Sequence, residues 1–328
     1  LSHGLVMEGK GVEMSKSQWN AVALGEITKK YGADILRLWA TSVDYQADCS
    51  MSDEILKQIS EQYRKVRNTF RFMLANVNPE EDFTKEDLVD INELPELDKY
   101  ILVLLNEVNE KAMKAYKEYR FADITNMLSN LMTNELSAYY MDYTKDILYI
   151  EKKDAPRRRQ VQTVLWHAVN TLVRLWAPIL VHTCEEVNDF FHTEAESIHL
   201  GSFAQALDVQ GADTIKADME RMMAIRQDIF KALEEARAEK VIGKSLEAHV
   251  MINVSDEDRA LIEKLCGNHF NQWLIVSKVS FSVDELKQYE VCQVEVEKCE
   301  GKVCPRCWNI TDSHAEDGLC DRCAEVLK

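Results

Sequence analysis

Residues 52–77 read SDEILKQISEQYRKVRNTFRFMLANV, and their apolar positions fall on one side of a helix. Ile55, Ile59, Tyr63, Val66, Phe70, Met73 and Val77 recur every three or four residues, the period at which side chains share a helical face. Ser52 is placed to cap the first turn, and Asp53 and Glu54 suit its positive end. Arg64, Arg67 and Arg71 lie on the other side of the same wheel, so the spacing predicts exposure for them.

The pattern continues outward in both directions. Leu24, Ile27, Tyr31, Ile35, Leu38 and Trp39 predict a helix over 24–39 broken at Gly32. Residues 78–96 are acidic and bracketed by Pro79 and Pro95, which predicts a connector. Helices are expected over 97–118, 121–148 and 156–191, the last kinked or split at Ala177-Pro178, where the ring removes a donor. A linker over 201–217 and a helix over 218–240 come next. Strands are expected at 248–254, 273–279 and 291–296, around a short helix at 256–266. The fold class read from this order is mainly α: an antiparallel helical bundle, then a small α+β unit, then a short tail.

Among 328 residues, 46% are hydrophobic and 29% charged, which excludes disordered and collagen-like chains. Lys and Arg total 39 against 56 Asp and Glu, a net charge of −17, so non-specific adhesion to nucleic acid or anionic membrane is disfavoured. A local basic cluster can still act, because exposed charges beyond roughly 8–10 Å are screened at physiological salt. No apolar run approaches the roughly 20 residues of a membrane span. The opening Leu1-Ser2-His3-Gly4 has no initiator Met and no leader pattern, which suggests a piece of a longer polypeptide. Of nine Cys, Cys292, Cys299, Cys304, Cys307, Cys320 and Cys323 crowd the end. That distribution suits a reducing cytoplasm and a metal site better than a disulfide framework.

Cys304-x2-Cys307, twelve residues, then Cys320-x2-Cys323 is the firmest chemistry in the chain. Each pair can offer two thiolates to one ion, and the loop between lets the pairs close a tetrahedron at about 2.3 Å per bond. A four-sulfur shell leaves no position for water, so one structural Zn2+ is expected. Its binding would supply the stability a thirty-residue tail cannot get from burial. Cys299 and His314 are weaker substitutes. Beside the first pair, Arg306 and Trp308 could grip a phosphate and stack a base, or could simply cover the knuckle. Arg157, Arg158 and Arg159 at a helix start could engage phosphates or remain solvated.

Met14-Ser15-Lys16-Ser17 follows a Gly-rich turn and offers an ammonium and two hydroxyls, chemistry suited to a triphosphate. The stretch GVEMSKSQWN (11–20), then EITKKYGADILRLWATSVDY (26–45) and residues 52–74, resembles class I aminoacyl-tRNA synthetases, specifically the isoleucyl family of bacterial type. LSAYYMDYTKDILY (136–149), APRRRQVQTVLWHA (155–168), EKVIGKSLEAHV (239–250) and CPRCWN…LCDRC extend the resemblance in the same order along the whole chain.

The resemblance implies four segments. Residues 1–43 would end a class I nucleotide-binding core, 44–202 form the helical anticodon-binding domain, 203–298 an α+β linker unit, and 299–328 a zinc-binding module. Met14, Ser15, Lys16 and Ser17 would bind ATP, with Lys16 catalytic during adenylate formation with Mg2+. The departures are Glu13, where the family signature has a lysine, and Gln18-Trp19, where it has Leu-Gly. No two of the eight His lie three apart, so the His-x-Gly-His signature is absent and this stretch alone should not make adenylate. The implied partners are tRNA(Ile), through Arg157, Arg158, Arg159, Arg306 and Trp308, with ATP and isoleucine in the full-length ligase. A cytoplasmic monomer without membrane contact is expected. The alternatives are a valyl or leucyl enzyme, or a non-catalytic zinc protein that binds nucleic acid.

Overall fold

The computed structural model describes residues 2–9, 11–14, 17, 23–315 and 317–328. Strand β1 (Val6–Glu8) pairs in parallel with β2 (Cys49–Met51), and between them run α1 (Leu24–Tyr31) and α2 (Ala33–Ser42). Gly32 separates the two helices at φ 93°, a backbone region that only glycine enters at little cost. Helix α3 (Asp53–Asn76) starts where expected, with the Ser52 Oγ accepting from the Ile55 N–H at 3.3 Å. Val66, Phe70, Met73 and Val77 of the apolar stripe are buried, while Arg64, Arg67 and Arg71 are exposed.

Helix α4 (Glu96–Lys117) is followed by α5 (Phe121–Asn130), a wide π-helical stretch (Leu131–Tyr140) and α6 (Met141–Ile150). One helical run therefore covers the region expected at 121–148, but with a loosened middle that periodicity did not foretell. Helix α7 (Pro156–Trp176) opens on a proline, whose missing N–H is harmless in the first turn. The split near Pro178 is complete, and α8 (Val181–Phe191) is a separate helix. Asp34 caps it, accepting from Thr183 N–H at 2.7 Å and Thr183 Oγ1 at 2.6 Å.

Helix α9 (Ala212–Ala238) begins within the expected linker, after Gly211 at φ 73°. Beyond it come β3 (Ala248–Asn253), α10 (Asp256–Cys266), α11 (Phe270–Leu274), β4 (Lys278–Phe281) and β5 (Gln293–Lys298), with sheet order β4-β3-β5. β3 is parallel to β4 and antiparallel to β5. The strand expected at 273–279 is corrected. Phe270, Trp273 and Leu274 are all buried at i, i+3, i+4, a helical spacing, and strand geometry starts only at Lys278. The tail holds β6 (Lys302–Val303), β7 (Ile310–Thr311) and α12 (Asp321–Val326).

The chain divides into two compact units that interleave in sequence. One comprises Leu1–Leu88, Ile101–Tyr139 and Gln162–Asp208, and the other Val89–Tyr100, Tyr140–Val161 and Val209–Lys328. The first is an all-helical core around Leu38, Phe70, Met73, Leu102, Leu128 and Trp176, with the short β1–β2 pair. The second carries the three-stranded sheet, α9 and the cysteine tail. No described helix is long and apolar enough to cross a membrane.

Candidate metal centre and nucleic-acid surface

The tail brings its two cysteine pairs together from two kinds of turn. Strands β6 and β7 form a hairpin, with Val303 opposite Ile310, and its turn carries Cys304 and Cys307. Within it the Cys304 carbonyl accepts from Trp308 N–H and the Cys304 N–H donates to Asn309 O, both at 2.9 Å. Gly301 is at φ 125°, where an added Cβ would lie 2.6 Å from the Thr311 carbonyl oxygen. Cys320 stands at the start of α12 and Cys323 lies in its first turn.

All four sulfurs are buried and lie within 4.8 Å of one another, with Cys307 Sγ and Cys320 Sγ 3.7 Å apart. Burial works against ionising Cys304, yet N–H groups of Cys307, Cys320 and Arg306 donate to its sulfur and bring its pKa down to about 6. Burial pushes the Cys320 and Cys323 thiols up. Four thiolates in so small a space need a cation, and the set can hold a metal ion with four sulfur ligands. Neither substitute joins it. The Cys299 thiol donates to Glu300 O at 3.6 Å, and His314 Nε2 lies 3.4 Å from Thr311 Oγ1.

The arginines are placed less simply than a basic cluster would be. Arg157 is paired through two nitrogens with Asp98, which is fully buried and also accepts from Tyr140 Oη at 2.8 Å. Burial disfavours the Arg157 cation, but Asp98 more than offsets it and holds the pKa above its ordinary value. Arg158 is buried, donating from Nε to Leu148 O at 3.1 Å and from Nη1 to Lys153 O at 3.0 Å. Arg306 Nη2 donates to Ile150 O at 2.7 Å. With Arg157 held by Asp98, and Arg158 and Arg306 donating to backbone carbonyls, these three arginines are drawn inward and do not gather as the solvent-facing cluster the sequence suggested. Arg159 is half-exposed.

Trp308 is the residue of this group that faces outward, 67% exposed at φ 63°. A bulky residue rarely holds that left-handed conformation. Trp308 and the exposed Tyr149 line a cavity of about 1050 Å³ with Arg157, Gln272, Trp273 and Arg322. Sequence reasoning passed over Arg322, which binds Asp146 and Glu151. Its signal was the repeated Cys-x-Arg-Cys, which puts an arginine at the same place in each knuckle. Lys16 and Ser15 of the expected ATP-binding loop lie outside the described residues. Met14 packs against the cluster of Ile27, Trp39, Met51 and Leu56, and Ser17 is exposed.

Two family descriptions match the chain: "tRNA synthetases class I (I, L, M and V)" over residues 1–52 and "Anticodon-binding domain of tRNA ligase" over residues 98–252. Class I synthetase residues ahead of an anticodon-binding helical region define a tRNA ligase polypeptide of class I. Among individual relatives, the isoleucine–tRNA ligase of Geobacillus kaustophilus is 45% identical over 342 residues, covering 100% of this chain and 37% of that protein. Isoleucine–tRNA ligase 1 of Oceanobacillus iheyensis is 44% identical over 338 residues, and the Staphylococcus haemolyticus ligase 44% over 336, each covering 100% of this chain and 36% of the relative. The chain belongs to the isoleucine–tRNA ligase family. It spans a little over a third of the length of these relatives and corresponds to their C-terminal portion.

Proposed function

We infer that this polypeptide supplies the tRNA-binding, zinc-stapled C-terminal portion of an isoleucine–tRNA ligase. The observation that carries the reading is similarity to such ligases at 44–45% identity over the whole chain. In the complete enzyme, isoleucine is activated with ATP and Mg2+ and passed to tRNA(Ile). Lys16, within Met14–Ser17, would neutralise charge as pyrophosphate leaves. Residues 1–43 then end the catalytic core, 44–202 carry the anticodon-binding helices, 203–298 form the α+β unit, and 299–328 form the zinc module. Cys304, Cys307, Cys320 and Cys323 hold one structural Zn2+, the borderline-soft ion that suits four thiolates. Trp308 offers a stacking face for a splayed base, and the half-exposed Arg159 a cation that can approach phosphate. Arg157, Arg158 and Arg306 shape that surface from beneath. The enzyme acts as a cytoplasmic monomer.

Fluorescence titration of the zinc-loaded 328-residue chain with tRNA(Ile) and with tRNA(Val) tests this reading. Preferential binding of tRNA(Ile) is expected. Equal or absent binding of both would overturn it.

A further inference from the structure

We propose that Arg306 and Arg322, one in each cysteine knuckle, form a metal-set latch on the C-terminal end of α6, and that through α6 they position the tRNA-binding surface without touching RNA. The proposal rests on the tRNA-binding reading above. The last carbonyls of a helix have no partner within it and attract cations. At the end of α6 the Ile150 carbonyl accepts from Arg306 Nη2 at 2.7 Å. Arg322 reaches the same turn from the other knuckle. Its Nε and Nη2 donate to Glu151 Oε1 at 2.9 and 2.5 Å, and its Nη1 to Asp146 Oδ2 at 2.6 Å. Between these anchors the buried Ile150 joins one core cluster with Cys304, Cys307, Cys320 and Cys323.

Arg306 is bracketed by Cys304 and Cys307, and Arg322 by Cys320 and Cys323. Gathering four sulfurs on one ion therefore fixes the two guanidiniums relative to each other. Arg306 Nη1 is buried with no hydrogen-bond partner among the described residues. It fits beside a divalent ion with four thiolates, a centre that remains anionic. Tyr149, which lines the cavity with Trp308, lies one residue before Ile150 and inside the clamped segment. Ordering that segment lowers the entropic cost of binding RNA there. By linkage, tRNA must then tighten the metal as much as the metal tightens tRNA.

The test compares Arg322→Gln and Arg322→Lys with wild type in the zinc-loaded 328-residue chain. Three readouts are taken: zinc release to a chromophoric chelator, amide exchange over residues 146–151, and tRNA(Ile) affinity across a salt series. Arg322→Gln should raise the tRNA Kd about tenfold. It should also speed zinc release and amide exchange, while leaving the slope of log affinity against log salt unchanged. Arg322→Lys, which can still reach one carboxylate, should recover most of each loss, and tRNA should slow zinc release from wild type. A slope reduced by about one contact would make Arg322 a phosphate ligand and overturn the proposal. Faster zinc release with unchanged tRNA affinity would overturn it too, reducing the pair to a structural brace. If wild type binds no tRNA, the functional reading fails on its own. Zinc release and exchange then decide whether the knuckles clamp α6, and unchanged values in Arg322→Gln overturn the clamp.

Discussion

The helical unit and the cysteine tail solve the same problem with different chemistry. Around Phe70, Met73, Leu102, Leu128 and Trp176, large side chains exclude water almost completely. Each such residue contributes roughly 1.5–3 kcal/mol by burial alone. The tail's buried cluster consists of its four cysteines, Ile150 contributed by α6, and partly buried Leu319. Too little apolar surface is gathered there to offset the entropy of ordering two loops. One region is held by many small terms that degrade gradually; the other, with the four-thiolate metal site proposed above, would depend on a single large term that is present or absent. A single-residue change should therefore act very differently in the two.

Cys320→Ser should have the largest effect. Metal binding in comparable four-ligand peptides is worth roughly 10–16 kcal/mol, and losing one thiolate opens the closed four-sulfur shell and weakens that binding. Bound zinc should fall toward zero and amide protection over 302–326 should vanish, while helical circular dichroism stays near the wild-type value. Phe70→Ala is the mirror experiment. It should cost about 3–5 kcal/mol of unfolding free energy through the cavity it leaves, with zinc content unchanged. Retained zinc in Cys320→Ser would count against Cys320 as a ligand, and zinc loss in Phe70→Ala would show that the two regions are not held independently.

The same contrast governs what could be read in advance. Ser52 and the stripe from Ile55 to Val77 announce α3 because helix capping and face burial are local in sequence, and the four cysteines announce their cluster because knuckle spacing is also local. The destinations of Arg157 and Arg306 were hidden because their partners are not. Asp98 stands 59 residues from Arg157, and Ile150 stands 156 from Arg306. An arginine run looks alike whether it meets phosphate or buried carboxylate. The segment at 273–279 misled for another reason, since a short apolar run fits strand or helix until its neighbour Phe270 is counted. The interleaved units follow from helices that return to a neighbour far away in sequence, which no composition shift marks.

A smaller effect separates the regions by pH. His167, in α7 of the helical unit, has its pKa lowered by burial from 6.5 to about 4. The unfolded chain thus binds a proton more readily between these values. Its contribution to stability is complete above pH 6.5 and is lost as the pH falls toward 4. From pH 6.5 to 4.5 the loss should be about 2 kcal/mol. His167→Gln should flatten the acid limb of the helical unit's unfolding free energy by that amount. An unchanged limb would assign the acid sensitivity to other groups.

The smallest stability change is expected at Trp308, where the two regions' rules cross. Its indole is an exposed aromatic of the tail and contributes little to folding, while its backbone at φ 63° is one that glycine holds without strain. Trp308→Gly therefore removes a side chain and relieves a conformation at once. Relief of about 1 kcal/mol is opposed by the greater freedom of glycine in the unfolded chain. Zinc affinity and melting should stay within about 1 kcal/mol of wild type. A stacked base is worth about 1–3 kcal/mol, so tRNA(Ile) affinity should fall roughly five- to a hundredfold with the salt slope retained. If zinc is lost instead and RNA binding persists, Trp308 is a lid on the first knuckle, and the stacking role assigned to it fails.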